Sequence, residues 1–279
     1  MPRRRSAASL RRRVHADGPY LSGGGRRVLA FAHRGGAYHP EIEGLENTLA
    51  AFEHAVALGY DYLETDVHVT SDGVLLAFHD AVLDRVTDRT GAIAETAYAD
   101  VRAARIGGRH EVPTMAELLE RFPQACFNID LKAPGAVRPL AELIDRHGAH
   151  DRVLVGSFSV RRLREFRRIT HGRVPTSAHP LEVAAFRALP SARLAALVNG
   201  ADALQVPHHR GRLRIVTPGF VRRAHAAGVP VHVWVVDDPA EMRELIARGV
   251  DGLMTDRTDL LKQTLVETGH WDQPEGDRP

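Results

Sequence analysis

Tyr60-Asp61-Tyr62-Leu63-Glu64-Thr65-Asp66-Val67-His68-Val69-Thr70-Ser71-Asp72-Gly73-Val74-Leu75-Leu76-Ala77-Phe78-His79-Asp80 consists of two alternating runs joined at Asp72-Gly73. Alternation with period two marks a strand, and Asp-Gly between two such runs is the strongest short-range hairpin signal. With Asp72 and Gly73 as the central turn residues, Ser71 faces Val74 and Asp66 faces His79. Glu64 and Asp66 share one face of the first strand, and the return strand sets an imidazole beside them. An exposed polar strand face would read the same way, so the rest of the chain decides.

Upstream, Val28-Leu-Ala-Phe-Ala32 is a short apolar run of buried-strand type that ends at His33-Arg34-Gly35-Gly36. A helix opened by Asn47 or Glu46 and stopped at Gly59 leads into the hairpin. Residues 80–112 hold no sustained period and carry turn signals at Thr90-Gly91 and Gly107-Gly108, which predicts a lid-like excursion over one end of the domain. Regular alternation resumes at Thr114, whose spacing to Glu117 makes a capping box. Strand-like runs at Ala125–Leu131, Arg152–Ser157, Val174–Ala178, Ala201–Val206, Pro230–Val236 and Gly252–Thr255 each precede a helical pattern, with Thr217-Pro218 and Asp238-Pro239 as helix openings. Counting the hairpin once, strands and helices alternate eight times over residues 28–268, the pattern of a (β/α)8 TIM barrel in the α/β class with a hairpin and insertion after the second strand. A doubly wound sheet would call for a Gly-x-Gly-x-x-Gly turn after its first strand, which is missing.

A chain of 279 residues with 44% hydrophobic content can bury the core of one such domain. The net charge of +2 is uneven, because residues 1–27 carry eight Arg and one Asp, or +7, leaving −5 for the remainder. Residues 1–27 therefore read as an Arg-rich, solvated, disordered arm, and residues 269–279 as a loose polar tail. Nucleic acid is not the expected partner. No apolar run follows the arginines as in a secretory signal and none is long enough to span a bilayer, so a cytoplasmic protein is expected. Cys126 is the single cysteine, which excludes an internal disulfide and reads as a buried structural thiol.

In a barrel of this kind chemistry sits at the carboxyl ends of the strands. Glu64, Asp66 and Asp130 would converge there and repel one another unless a hard divalent cation, Mg²⁺ or Ca²⁺, lay among them. Salt bridges to the abundant arginines would relieve the same repulsion. Lys is used only twice, and Lys132 shares a strand face with Asp130, either as a point charge for a phosphate oxygen or as a simple ion pair. His33 and His79, with Arg34 and a cation, supply what a phosphodiester needs: a base, an acid and charge for the non-bridging oxygens. Trp234 at a strand tip is a stacking platform or a core-closing aromatic.

In Ala32-His-Arg-Gly35, Glu46-Asn-Thr48, Tyr62-Leu-Glu-Thr-Asp-Val67, Phe78-His-Asp80, Asn128-Ile-Asp-Leu-Lys132, Gly156-Ser-Phe158, Trp234 and Gly252-Leu-Met-Thr-Asp256, the chain resembles the glycerophosphodiester phosphodiesterase family. The resemblance implies a hydrolase that takes a small phosphodiester to glycerol 3-phosphate and an alcohol. His33 and His79 match its general acid and base, Glu64, Asp66 and Asp130 its metal ligands, and Arg34 and Lys132 its phosphate contacts, with Glu46 and Trp234 also at the substrate. Two departures stand out: Asp130 replaces the usual Glu, and Val235-Val236-Asp237 replaces the usual Thr-Val-Asn. A lysophospholipid-directed enzyme and a silent phosphate-ester scaffold are the rival readings.

Overall fold

The computed structural model describes residues 18–22, 28–189 and 200–271. Strands and helices alternate as β1 (Leu29–His33), α1 (Leu49–Ala57), β2 (Tyr62–Val69), β3 (Leu75–Ala77), α2 (Met115–Arg121), β4 (Cys126–Leu131), α3 (Val137–Arg146), β5 (Val153–Gly156), α4 (Val160–Ile169), α5 (Pro180–Ala188), β6 (Leu204–Pro207), α6 (Pro218–Ala226), β7 (Val231–Trp234), α7 (Pro239–Ala247), β8 (Gly252–Thr255) and α8 (Thr258–Glu267). Parallel pairing runs β5-β4-β2-β1-β8-β7-β6. Among the described residues, the gap between β5 and β6 is bridged by Val155↔Thr176 and Ser177↔Ala203. The strand expected over Val174–Ala178 is thus reduced to two bridges, beside a proline that has no N–H to give to a ladder. The result is an α/β barrel.

Alternate residues share a strand face, so the register gives the barrel interior in rising order. Its floor is an apolar cluster that includes Leu29, Phe31, Tyr62, Leu154, Ala203 and Met254. Above it lies a polar layer, where Gln205 Nε2 donates to Asn128 Oδ1 at 2.7 Å and stands 3.3 Å from His232 Nδ1. Gly252 leaves room for this layer, since a Cβ there would lie 2.8 Å from the Phe31 ring and 2.9 Å from His232. Charged residues follow at the strand tips. A larger apolar core fills the space between the strands and the surrounding helices.

Helix starts follow capping chemistry. Thr114 and Glu117 form the reciprocal capping box, and Thr217 and Asp238 cap the helices that open with Pro218 and Pro239. At α1 the cap is Thr48, not Asn47 or Glu46. Asn47 is held in the left-handed region at φ 58° and accepts a hydrogen bond from Thr65 Oγ1 at 2.7 Å, so its side chain serves β2 instead.

The β2–β3 register differs by one residue from that expected. Val67 faces Ala77, and Phe78 N donates to Asp66 O, so Phe78 and not His79 stands opposite Asp66. The cause is a three-residue loop: Gly73 N bonds Thr70 O, Thr70 N bonds Val74 O, and Gly73 takes φ 88°. Residues 80–112 lack a period because they build an irregular layer with its own apolar cluster, including Leu83, Ile93, Val101 and Ile106 packed on Leu76 and Phe78.

Described residues on either side of 28–268 also pack on the barrel. Pro19–Ser22 is a helical turn that buries Tyr20 under the barrel floor, where Tyr62 Oη donates to Tyr20 O at 2.5 Å and the two rings meet edge to face at 5.2 Å. Net charge hid this one aromatic anchor within the arm. At the other end Trp271 meets Tyr60 edge to face at 5.3 Å, so the packed domain continues past residue 268. The remaining arm and tail residues lie outside the described ones.

Tyr20→Ala is expected to cost roughly 3 kcal/mol, read by urea unfolding, because it empties a filled site. His232 is fully buried, and burial lowers its pKa from 6.5 to about 4. Between those values the unfolded chain binds more protons, so this contribution is complete above about pH 6.5 and disappears as pH falls toward 4. Unfolding free energies at about pH 7 and about pH 4.5 should show a loss of up to roughly 3 kcal/mol that His232→Gln removes.

Candidate active site

His33 ends β1, and the next residues, Arg34, Gly35 and Gly36, have φ of 50°, 87° and 91°. A Cβ on Gly35 would lie 2.7 Å from Ala51 Cβ, and one on Gly36 2.7 Å from Thr258, so only glycine fits this turn. The turn aims Arg34 N at Glu64 Oε2, 3.1 Å away. Lateral pairing sets His33 beside Glu64 and Asp66 beside Asp130, which brings the three predicted acids and the first histidine to one end of the barrel.

The chain's own cations partly neutralise these acids. Lys132 Nζ lies 2.9 Å from Asp66 Oδ1 and 2.7 Å from Asp130 Oδ2, and Arg34 Nε is 3.3 Å from Asp66 Oδ2. Burial would raise the Asp66 pKa, but Lys132 and Arg34 hold it below the usual carboxylate range. Glu64 goes the other way, raised by burial and by the Asp66 charge. Asp66 Oδ2 and Asp130 Oδ1 are buried without a hydrogen bond. A donor set of carboxylate oxygens with unsatisfied buried atoms fits a hard divalent cation.

Lys132 Nζ stands between Asp66 and Asp130, so the chain's own cation spaces the acids here. Among the described residues, the three-ligand group whose atoms lie within 4.8 Å of one another is His208, His209 and Glu241. That group has the wrong surroundings for an ion. His208 Nδ1 donates to Glu241 Oε1, and Arg248 Nη1 donates to His208 Nε2 at 2.7 Å. A metal on Nδ1 would put the imidazole proton on Nε2, facing the guanidinium donor, whereas ligating histidines present that proton to an acceptor.

Each candidate histidine has a carboxylate behind it. His33 Nδ1 donates to Asp256 Oδ1 at 2.7 Å, leaving Nε2 directed toward Glu64 at 3.7 Å. Burial lowers the His33 pKa, but Glu64 and Asp256 outweigh it and carry it to about 9. His79 Nδ1 donates to Asp80 Oδ1 at 2.5 Å. The Asp80 pKa is lowered to about 2 by its bonds to Arg85 and His79. Glu46 is wholly engaged, 3.3 Å from Arg34 and bonded by both Arg85 Nη atoms at 2.8 and 2.7 Å, so it orients arginines. Trp234 meets Phe158 edge to face at 5.8 Å, and Lys132 Nζ lies 5.8 Å from the Phe158 ring.

Asp256, Asp80, Arg85 and Phe158 were given no role on sequence grounds. Adjacency to His79 pointed to Asp80, and the tip of β8 pointed to Asp256. Arg85 lies in a stretch with no period to place it.

Residues 33–260 match the Glycerophosphoryl diester phosphodiesterase family. The chain belongs to that family. It is accordingly a phosphoric diester hydrolase. It is 40% identical over 257 residues to the probable glycerophosphodiester phosphodiesterase 2 of Mycobacterium tuberculosis, covering 91% of this chain and 96% of that protein. The crystal structure of a putative glycerophosphoryl diester phosphodiesterase from Silicibacter pomeroyi superposes with a TM-score of 0.74 at 25% identity, covering 90% of this chain and 98% of that one. An Oleispira antarctica phosphodiesterase, solved with its product sn-glycerol-3-phosphate, has a TM-score of 0.71 at 24% identity, over 85% of this chain and 96% of that one.

Asp256 fixes the tautomer and direction of His33, so Asp256→Asn should lower kcat by part of the roughly 10²- to 10⁴-fold that a placed proton-transfer group supplies, with KM little changed. Steady-state kinetics with an unshifted melting curve would establish this. Unchanged kcat would show that the pair is only structural.

Proposed function

We propose that the enzyme hydrolyses glycerophosphodiesters to glycerol 3-phosphate and an alcohol in the cytoplasm, with one divalent cation, Mg²⁺ or Ca²⁺, as cofactor. The observation that carries this reading is the pair of imidazoles, one at the end of β1 and one in the irregular chain after β3, each fixed through Nδ1 by its own carboxylate, at a mouth where buried acids stand beside Arg34 and Lys132. Nε2 of one histidine takes the proton of the attacking oxygen, and Nε2 of the other gives a proton to the departing alkoxide. His33, which its neighbouring carboxylates keep protonated at neutral pH, is assigned the donor's part. Arg34 and Lys132 attract the non-bridging oxygens. Glu64, Asp66 and Asp130 would hold the cation, which supplies further charge for the phosphate. The insertion 80–112 acts as a lid through Arg85, which ties Asp80 to Glu46. A lysophospholipid is the second reading, favoured by the Phe158–Trp234 edge beside Lys132.

Release of glycerol 3-phosphate from glycerophosphocholine should stop in chelator and return with Mg²⁺ or Ca²⁺. His33→Ala and His79→Ala should each lower kcat about 10²- to 10⁴-fold, with the double variant far from additive because both act on one phosphorus. Glu64→Gln and Asp66→Asn should weaken metal binding in calorimetry. Full turnover by metal-free protein would remove the cation from this reading, and no turnover of any glycerophosphodiester would leave the scaffold.

A further inference from the structure

Of the eight exposed large apolar side chains among the described residues, four fall in one sector, the others being Tyr38, Val56, Val82 and Val266. Phe158, Leu181, Leu213 and Val235 are 58%, 65%, 53% and 37% exposed. All four follow the carboxyl ends of consecutive barrel positions: β5, the bridged segment at 176–177, β6 and β7. They therefore form one sector of the mouth, next to the charged cluster, since Phe158 touches both Trp234 and Lys132.

The same sector is basic. After β6 the chain forms a two-stranded ribbon, His209–Arg210 against Leu213–Arg214, exposed along its whole length. Leu213 sits in it among Arg210, Arg212 and Arg214. The side chains of Arg210 and Arg212 make no hydrogen bond or ion pair among the described residues, and neither does that of exposed Arg161 in the first turn of α4. The carboxylates nearest the ribbon are occupied: Glu241 accepts from His208, and Glu244 pairs with Arg248 and Arg214. Asp238 accepts from Glu241 N as the cap of α7.

Exposed apolar groups interleaved with unpaired arginines on one face suit the boundary of a bilayer, where apolar tips enter the acyl region and the guanidinium groups meet anionic headgroups. A folded acidic protein would satisfy the arginines but gives no reason for four apolar side chains to project singly from four connections. We propose that the β5–β7 sector of the mouth docks reversibly on an anionic phospholipid surface, with the ribbon 209–214 as its main contact. Docking sets the opening of the catalytic site against the membrane, so that a lipid-borne phosphodiester enters without crossing bulk water.

The test is sedimentation of the full chain with phosphatidylcholine vesicles with and without phosphatidylserine, a readout that does not depend on turnover. Binding is expected only with phosphatidylserine, falling as salt rises. Each arginine contributes about fivefold, so Arg210→Glu/Arg212→Glu with Leu213→Ser should weaken binding at least about 25-fold. The exposed controls Val56→Ser and Val266→Ser should bind normally, and all variants should hydrolyse glycerophosphocholine alike. Absence of binding to anionic vesicles overturns the proposal. So does full binding by the ribbon variant, which would assign the contact to the Arg-rich arm, or a ribbon-dependent affinity for single-stranded RNA in place of vesicles.

Discussion

Parallel registry of β1, β2 and β4 is the constraint on which everything at the mouth depends. Successive residues of a strand face opposite sides, so a one-residue slip of β2 would turn Glu64 and Asp66 out of the barrel and bring Thr65 in. The register is held from below. Phe31, Tyr62 and Cys126 lie side by side in the floor, and their packing places His33, Glu64, Asn128, Asp66 and Asp130 one or two steps higher. Tyr20 closes that floor, so an element outside the barrel sequence contributes to the geometry of a site at its far end.

Rising from apolar floor to polar layer to charged rim, the interior follows a gradient of solvent access. Asn128, Gln205 and His232 satisfy one another in part without charge, and His232 is held neutral by burial. Among the described residues Glu64, level with Asn128, is the one acid beside this layer, and it faces His33 and the Arg34 N–H. One step higher Arg34 and Lys132 reach Asp66 and Asp130, and carboxylates become tolerable.

The alternating barrel was legible because each unit carries local signals: an apolar run, a capping residue and a glycine stop. Local signals do not fix long-range partners. Asp256 lies 223 residues from His33 in sequence, and no spacing rule joins them. The hairpin slipped for a related reason, since Asp72-Gly73 fits a two-residue loop and a three-residue one equally well in sequence. The bonds from Gly73 N to Thr70 O and from Thr70 N to Val74 O separate the two. His79 reaches the site through the irregular chain after Ala77, and not through strand pairing. The arm was read by its arginines, and net charge is blind to a single Tyr that packs.

Buried ion pairs rarely add stability over an apolar core of the same shape, so the Asp66–Lys132–Asp130 arrangement is kept at a thermodynamic cost. Its composition points to chemistry. An arginine in place of Lys132 would grip one carboxylate with two parallel bonds and stay there. The ammonium is a compact charge on a flexible stem, placed between two acids at 2.9 and 2.7 Å, and it can exchange one partner for another oxygen with little rearrangement. In a chain with 37 Lys and Arg residues of which only two are Lys, the cation set between these two acids is one of those two.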